Sequence, residues 1–243
     1  MKYISAKISD KMNEYYKTGR VTASFFMDPS EMVEAESVLR NVEYACYGGY
    51  DDAERKVILI GVSKEDDTSF TEIVERYLCV IRVCPHANLS ASSGTGIVRL
   101  SHRSVLGSVL GLGIKREMVG DILVGEKSCD IIVVKSIAEF LVNQLQYVGR
   151  EKVRVQELEI SELHQVEENE KEISASVSSL RLDAVISAGF GIAREKSNAL
   201  VKGELVKLNH MVVTSPTRTV SEGDIISVRG KRQVGSKGNC RPY

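Results

Sequence analysis

The sequence has no C-x-x-C pair, no long apolar run and no overall charge excess: its formal net charge is −1 across 243 residues. A membrane-spanning helix needs about 20 consecutive apolar residues, so the chain is expected to carry none. The N-terminus, MKYISAKISDKMNEYYK, is charged and lacks the apolar centre of a secretory signal. The five cysteines (Cys46, Cys79, Cys84, Cys129 and Cys240) are odd in number and read as reduced thiols of a cytoplasmic protein. Cys79, Cys84 and His86 are close in sequence, but no second ligand pair accompanies them, so buried or incidental thiols are expected instead of a metal site.

Catalytic signals are also scarce. Four histidines do not assemble a Ser-His-Asp or Cys-His arrangement. SGTGIV at 93–98 offers two glycines before an expected strand, and GSVLGLG lies in an expected helix; neither has G-x-G-x-x-G spacing. No catalytic residue, cofactor, metal or small-molecule substrate is therefore expected, and the protein is read as a monomer without enzyme activity.

What is present is an ordinary globular composition, 43% apolar and 27% charged, long enough for two or three domains. The near-neutral average hides a gradient. Residues 175–243 hold 11 Lys/Arg against 5 Asp/Glu, whereas the preceding residues hold 21 against 28. A basic C-terminal third on an acidic body points to a polyanion-binding end.

The pattern along the chain predicts a multidomain α+β protein. Residues 1–72 read as a small N-terminal α/β unit. Asp28-Pro29-Ser30 opens a helix, and two strands with a Gly/Asp-rich turn follow in VEYACYGGYDDAERKVILIGV. Residues 73–158 read as strand (77–83), helix (101–114, opened by Ser101), two strands, helix (capped by Ser136 and ended by Gly149) and strand. That order is the ferredoxin-like β-α-β-β-α-β plan of many RNA-recognition modules, which also hosts enzymes and ligand sensors. The aromatic strand signature that stacks bases in standard RNA-recognition motifs is absent. Residues 159–176 read as an acidic linker or exposed helix; with eight Glu between 151 and 172, this stretch should face away from a polyanion. Residues 177–235 resume order: a helix capped by Ser178 or Ser179 with Leu182, Val185 and Ile186 facing a core, a helix over 193–202, and two strands, before a tail at 236–243.

Arg181-Leu182-Asp183, Arg194, Val206-Lys207-Leu208-Asn209 and the run Gly223-Asp224-Ile225-Ile226-Ser227-Val228-Arg229-Gly230 resemble the αL RNA-binding module named for ribosomal small-subunit protein four. That module shows R-L-D, S-R-x-x-A, V-x-V-N and G-D-x-I-x-V-R-G in this order. Ala193 stands where Ser is usual, which weakens the cap of the second helix, and Gly203 sits one residue early. The segment HRSVLGSVLGLGIKREMVGDI is similar to the central part of the YlmH family, whose members carry the same module at the C-terminus. The resemblance implies a cytoplasmic bacterial RNA-binding protein on the ribosome, with rRNA or tRNA and the large subunit as partners. It also implies a link to rescue of stalled subunits carrying peptidyl-tRNA.

The candidate RNA-binding residues follow. Arg194 starts the second helix, where free N–H groups and the helix dipole favour phosphate. Arg181, Lys196, Lys202, Lys207, Arg218, Arg229, Lys231 and Arg232 extend the positive surface; a merely solvated basic face is the alternative. Arg103, Lys115 and Arg116 are candidates in the middle region, where GLGIKRE could instead be only a helix end at Gly113. Asp183 and Asp224 read as capping or turn residues, and His102 as structural. Two other functions fit some features. R-L-D also occurs in pseudouridine synthases, but only about 60 residues follow it here, too few for that catalytic domain. A division-linked adaptor contacting partners through residues 157–172 is the other.

Overall fold

The computed structural model describes residues 2–62, 67–86, 100–163, 175, 177, 179–209, 211–229 and 234–235. The chain divides into two compact units, Met1–Glu167 and Glu168–Tyr243.

The first unit begins with helix α1 (Lys2–Thr18), which the sequence reading did not expect. Its Ile4, Ile8, Met12 and Tyr15 recur at helical spacing and join Met27, Leu39, Ile58 and Ile60 in one core. β1 (Thr22–Ala23) follows, then α2 (Pro29–Glu36). As expected, Asp28 caps α2: its carboxylate accepts from the amides of Ser30 and Glu31, and Glu31 accepts in return from the Asp28 amide. β2 (Tyr44–Tyr47) and β3 (Val57–Ile60) form the expected antiparallel hairpin, in a sheet ordered β1-β3-β2.

After α3 (Asp67–Tyr77) come β4 (Leu78–Pro85), α4 (His102–Gly111), β5 (Val119–Val124), β6 (Cys129–Val134), α5 (Ala138–Gln144), β7 (Tyr147–Val148) and β8 (Glu151–Leu158). They form an antiparallel sheet ordered β5-β6-β4-β8-β7, the strand order of a ferredoxin-like fold with β7 added at one edge. Period-2 alternation gives β4 two buried sides. Cys79, Ile81 and Val83 join the core beneath α4 and α5, while Leu78 and Val80 pack with Phe26 and with Val57 and Leu59 of β3. The boundary expected near residue 72 thus falls inside a unit whose two sheets share a core.

Several local expectations are corrected. Ser136 caps no helix: it lies in a short 3-10 turn (Lys135–Ile137), and α5 starts after Ile137 without a side-chain cap. Gly149 ends no helix either. Tyr147 and Val148 pair with Lys152 and Glu151, and Gly149, at φ +62°, makes the hairpin turn between them. Ladder bonds to β8 outweigh helical spacing there. Ser101 does cap α4, and Gly113, at φ +86°, follows its end.

Alternation also puts Cys79 and Cys84 on opposite faces of β4, so they cannot share an ion. Burial pushes the Cys79 and Cys129 thiols up to about 12. Among the described residues no cluster of His, Cys, Asp and Glu could hold a metal, and no helix is long and apolar enough to cross a membrane.

The second unit contains α6 (Leu182–Phe190), α7 (Arg194–Lys202), β9 (Val206–Leu208), β10 (Met211–Val212), β11 (Ile225–Val228) and β12 (Val234–Gly235), with sheet order β10-β9-β11-β12. Leu182, Ile186, Val201, Val206, Leu208, Ile226 and Val228 form its core. Such side chains contribute about 1.5–3 kcal/mol each on full burial. Ser179 does not cap α6, and Ser178 lies outside the described residues. Arg181 is the N-cap because the chain is held extended up to that point: Val220 donates to the Leu180 carbonyl and Leu182 to that of Arg218. The linker residues 164–174, the SGTGIV stretch and the tail lie outside the described residues.

Candidate nucleic-acid interface

Asp183 organises the start of α6. It is 1% exposed, yet it accepts from two arginines in paired fashion. Arg181 donates through Nε and Nη2 at 3.1 Å each, and Arg194 through the same atoms at 3.2 and 3.3 Å. Burial opposes ionisation of Asp183, but the hydrogen bonds from Arg181 and Arg194 outweigh it and hold the carboxyl below its ordinary range. The two arginine side chains stay 41% and 48% exposed, so the buried carboxylate orients both without burying them. Arg218 joins this end of the unit, since its carbonyl receives the Leu182 amide. The residue expected to be only a cap or turn former therefore positions the two arginines.

Arg194 is the first residue of α7, and Ala193 provides no side-chain cap. The first-turn amides thus have no side-chain acceptor and can meet an anion. Exposed Lys196 leaves the same turn about 200° further round the helix. Ala193 has a counterpart that the sequence reading missed: Ser197 occupies the Ala position of S-R-x-x-A. Its hydroxyl is buried and has no hydrogen-bond partner among the described residues.

The other cations lie elsewhere. Lys202 ends α7, at the opposite end from Arg194. Lys207 is exposed on the sheet, where it pairs with Ser227, and Arg229 is exposed just past the end of β11. Lys231 and Arg232 lie outside the described residues. The strand β9 is entered through a Schellman motif: Glu204 donates to Val201 and Leu205 to Leu200. The left-handed residue of that motif is Glu204, at φ +58°, not Gly203. The early glycine leaves a carboxylate side chain at the position glycine would suit best. Asp224, in contrast, behaves as expected. It accepts from the Ser221 amide and the Asn209 side chain, and these bonds hold its carboxyl below the ordinary range.

The middle-region candidates do not cluster. Arg103 is exposed in the first turn of α4, and Lys115 is exposed past Gly113, beyond the end of that helix. Arg116 is engaged inside the unit. Its Nη1 donates to the Val119 carbonyl and, at 3.1 Å, to that of Gly120. Burial and the nearby Arg55 charge lower its pKa. The rest of the GLGIKREMVGD stretch fastens the N-terminal sheet. Glu117 binds Lys7 at 2.7 Å and accepts the Phe26 amide through its carbonyl. A Cβ on Gly120 would stand 2.6 Å from the Phe26 ring. Asp121 accepts from Tyr50 Oη and the amides of Glu54 and Arg55. His102 is exposed.

A helix pair on a small antiparallel sheet is the frame of an S4-type module, and Arg181 and Arg194 stand at its helix starts. Residues 180–226 match the S4 domain, and residues 93–162 match the family described as "Putative RNA-binding domain in YlmH". The chain is 34% identical over 217 residues to "Ribosome-associated protein quality control protein P2" of Bacillus subtilis (strain 168), covering 87% of this chain and 78% of that protein. The chain belongs to the YlmH family. Among solved structures, "Cell division protein ylmH from Streptococcus pneumoniae" aligns with a TM-score of 0.48 and 18% identity, over 65% of this chain and 91% of that one.

Proposed function

We propose that this protein is a non-catalytic RNA-binding factor whose S4 domain grips structured rRNA or tRNA on the large ribosomal subunit, in quality control of stalled peptidyl-tRNA complexes. The name of its Bacillus subtilis relative supports the ribosomal setting. The observation that carries the RNA reading is the buried Asp183 holding Arg181 and Arg194 half-exposed beside the uncapped start of α7. Fixed guanidinium forks suit phosphate oxygens, and orienting them in advance lowers the entropy lost on binding. Arg218 and Lys196 add charge around this point. Lys202, Lys207 and Arg229 supply more diffuse attraction, and Lys231 and Arg232 follow in the sequence. Arg103 and Lys115 are separate secondary contacts, and Arg116 is left out of the contact set because it is half-buried and its Nη1 is bound to the Val119 and Gly120 carbonyls. Phosphate and shape dominate over base reading, because A-form RNA hides its base edges in a deep, narrow groove.

The test is a titration of the full chain with structured rRNA and tRNA fragments at several salt concentrations. Replacing Arg194 and Lys196 together by Ala should weaken binding to every structured RNA and flatten the salt slope by about one to two units. An unchanged slope overturns the site. Sedimentation of lysate should place the protein with large subunits; finding it only at the top of the gradient overturns the ribosomal setting.

A further inference from the structure

Strand alternation sorts the charges of β8. Val153 and Val155 face the core beneath α4 and α5, and Glu151 and Glu157 share their parity. Lys152, Arg154 and Gln156 occupy the opposite face, and all three are exposed. Cross-strand pairing places Cys84 opposite Arg154 and Tyr147 opposite Lys152, while the His86 amide donates to the Lys152 carbonyl. Tyr147 is 54% exposed, and its neighbour Val148 is buried on the core side. Both glutamates of β8 therefore lie on one face of the strand. Further along the same face, Asp130 is 2% exposed and bound by both Nε and Nη2 of Arg82. The open end of the sheet is left with two cations beside an exposed aromatic ring, and Arg150 in the adjoining turn adds a third.

We propose that this β4–β8–β7 face is a second RNA contact, one that takes an unpaired nucleotide on Tyr147 while Lys152 and Arg154 hold the flanking phosphates. A tyrosine ring can stack any base, and cations spaced along the neighbouring strand track a backbone. The charge selects the occupant. A protein-docking patch of this size would be built from contiguous apolar side chains, whereas here one ring is set among Lys152, Arg154 and Gln156. The inference rests on the RNA-binding reading above, but it uses the other compact unit and none of the S4 residues.

The test uses the full chain with two labelled probes: a single-stranded oligouridylate of about ten nucleotides, and an RNA hairpin with a fully paired stem. Tyr147→Ala should lose at least about fivefold affinity for the oligouridylate, while Tyr147→Phe retains it. Lys152→Gln with Arg154→Gln should flatten the oligouridylate salt slope by about 0.7 per charge removed. Hairpin binding should not change in any of these variants, and their melting curves should match the parent. If the parent binds the hairpin but not the oligouridylate, this proposal fails and the S4 reading stands; if it binds neither, both fail. Tyr147→Ala binding oligouridylate like the parent also overturns it. Loss of ribosome association in that variant without loss of RNA affinity would make the face a protein-docking site and overturn it too.

Discussion

Two stretches of this chain look alike on paper and have opposite fates. In the first unit, Lys115-Arg116-Glu117 precede Gly120-Asp121; in the second, Arg181 and Arg194 flank Asp183 in the fold. Each has an arginine near an aspartate at the start or end of a helix. In the first, Arg116 is half-buried and donates to the carbonyls of Val119 and Gly120, while Asp121 receives amides from the β2–β3 loop. Arg116 is tied to its own strand and Asp121 joins that strand to the N-terminal sheet. In the second, the aspartate is the buried partner and the arginines remain half-exposed. A cation near a helix end is available to a ligand only when the fold leaves it facing water.

The largest effect is expected in the first unit. Asp121→Ala removes the acceptor for one hydroxyl and two amides, at about 1 kcal/mol net each, so roughly 3 kcal/mol of unfolding free energy should be lost in urea titrations. RNA affinity of the folded variant should stay at the parent value. A fall in affinity with stability intact would erase the contrast between the two stretches.

A smaller loss is expected from Asp183→Asn, about 1–2 kcal/mol, because both arginine partners are well solvated. This variant should also weaken binding to structured RNA, since the forks lose their orientation. The pH dependence has a definite sign. The folded carboxyl titrates below its ordinary value. Its contribution is therefore fully present above about pH 4 and is lost as pH falls through the lower folded value. Urea midpoints of parent and Asp183→Asn should converge on acidification. A constant gap would show that Asp183 acts through packing alone.

The smallest effects are gains within the second unit. Ser197→Ala removes a buried hydroxyl without a partner, and Glu204→Gly relieves a left-handed non-glycine residue. Each should raise stability by about 1 kcal/mol in thermal melts, with RNA affinity held. A loss from Glu204→Gly would show that its side chain makes a contact worth more than the backbone strain.

Much of the fold was legible. The Asp28 and Ser101 caps, the β2–β3 hairpin and the β-α-β-β-α-β order are local patterns, set by alternation and capping chemistry within a few residues. α1 was legible too, in Ile4, Ile8, Met12 and Tyr15, but the charged residues between them masked the period. The Tyr147–Glu151 hairpin was not legible, because its ladder depends on β8 already lying beside β4. The site divides the same way. The family motifs located Arg181 and Arg194, but not the Asp183 fork, the engagement of Arg116 or the separation of Arg103 from Lys115.

By itself the sequence determined the α+β class, the module order and the basic C-terminal third, because these depend on periodicity, turn residues and composition. Tertiary structure decided which charges face solvent, that residue 204 rather than Gly203 takes the left-handed turn, and that β8 is acidic on one side and basic on the other. Those outcomes depend on which backbone and side-chain groups meet across long stretches of chain. Burial then sets whether a charge is consumed within the fold or left facing water.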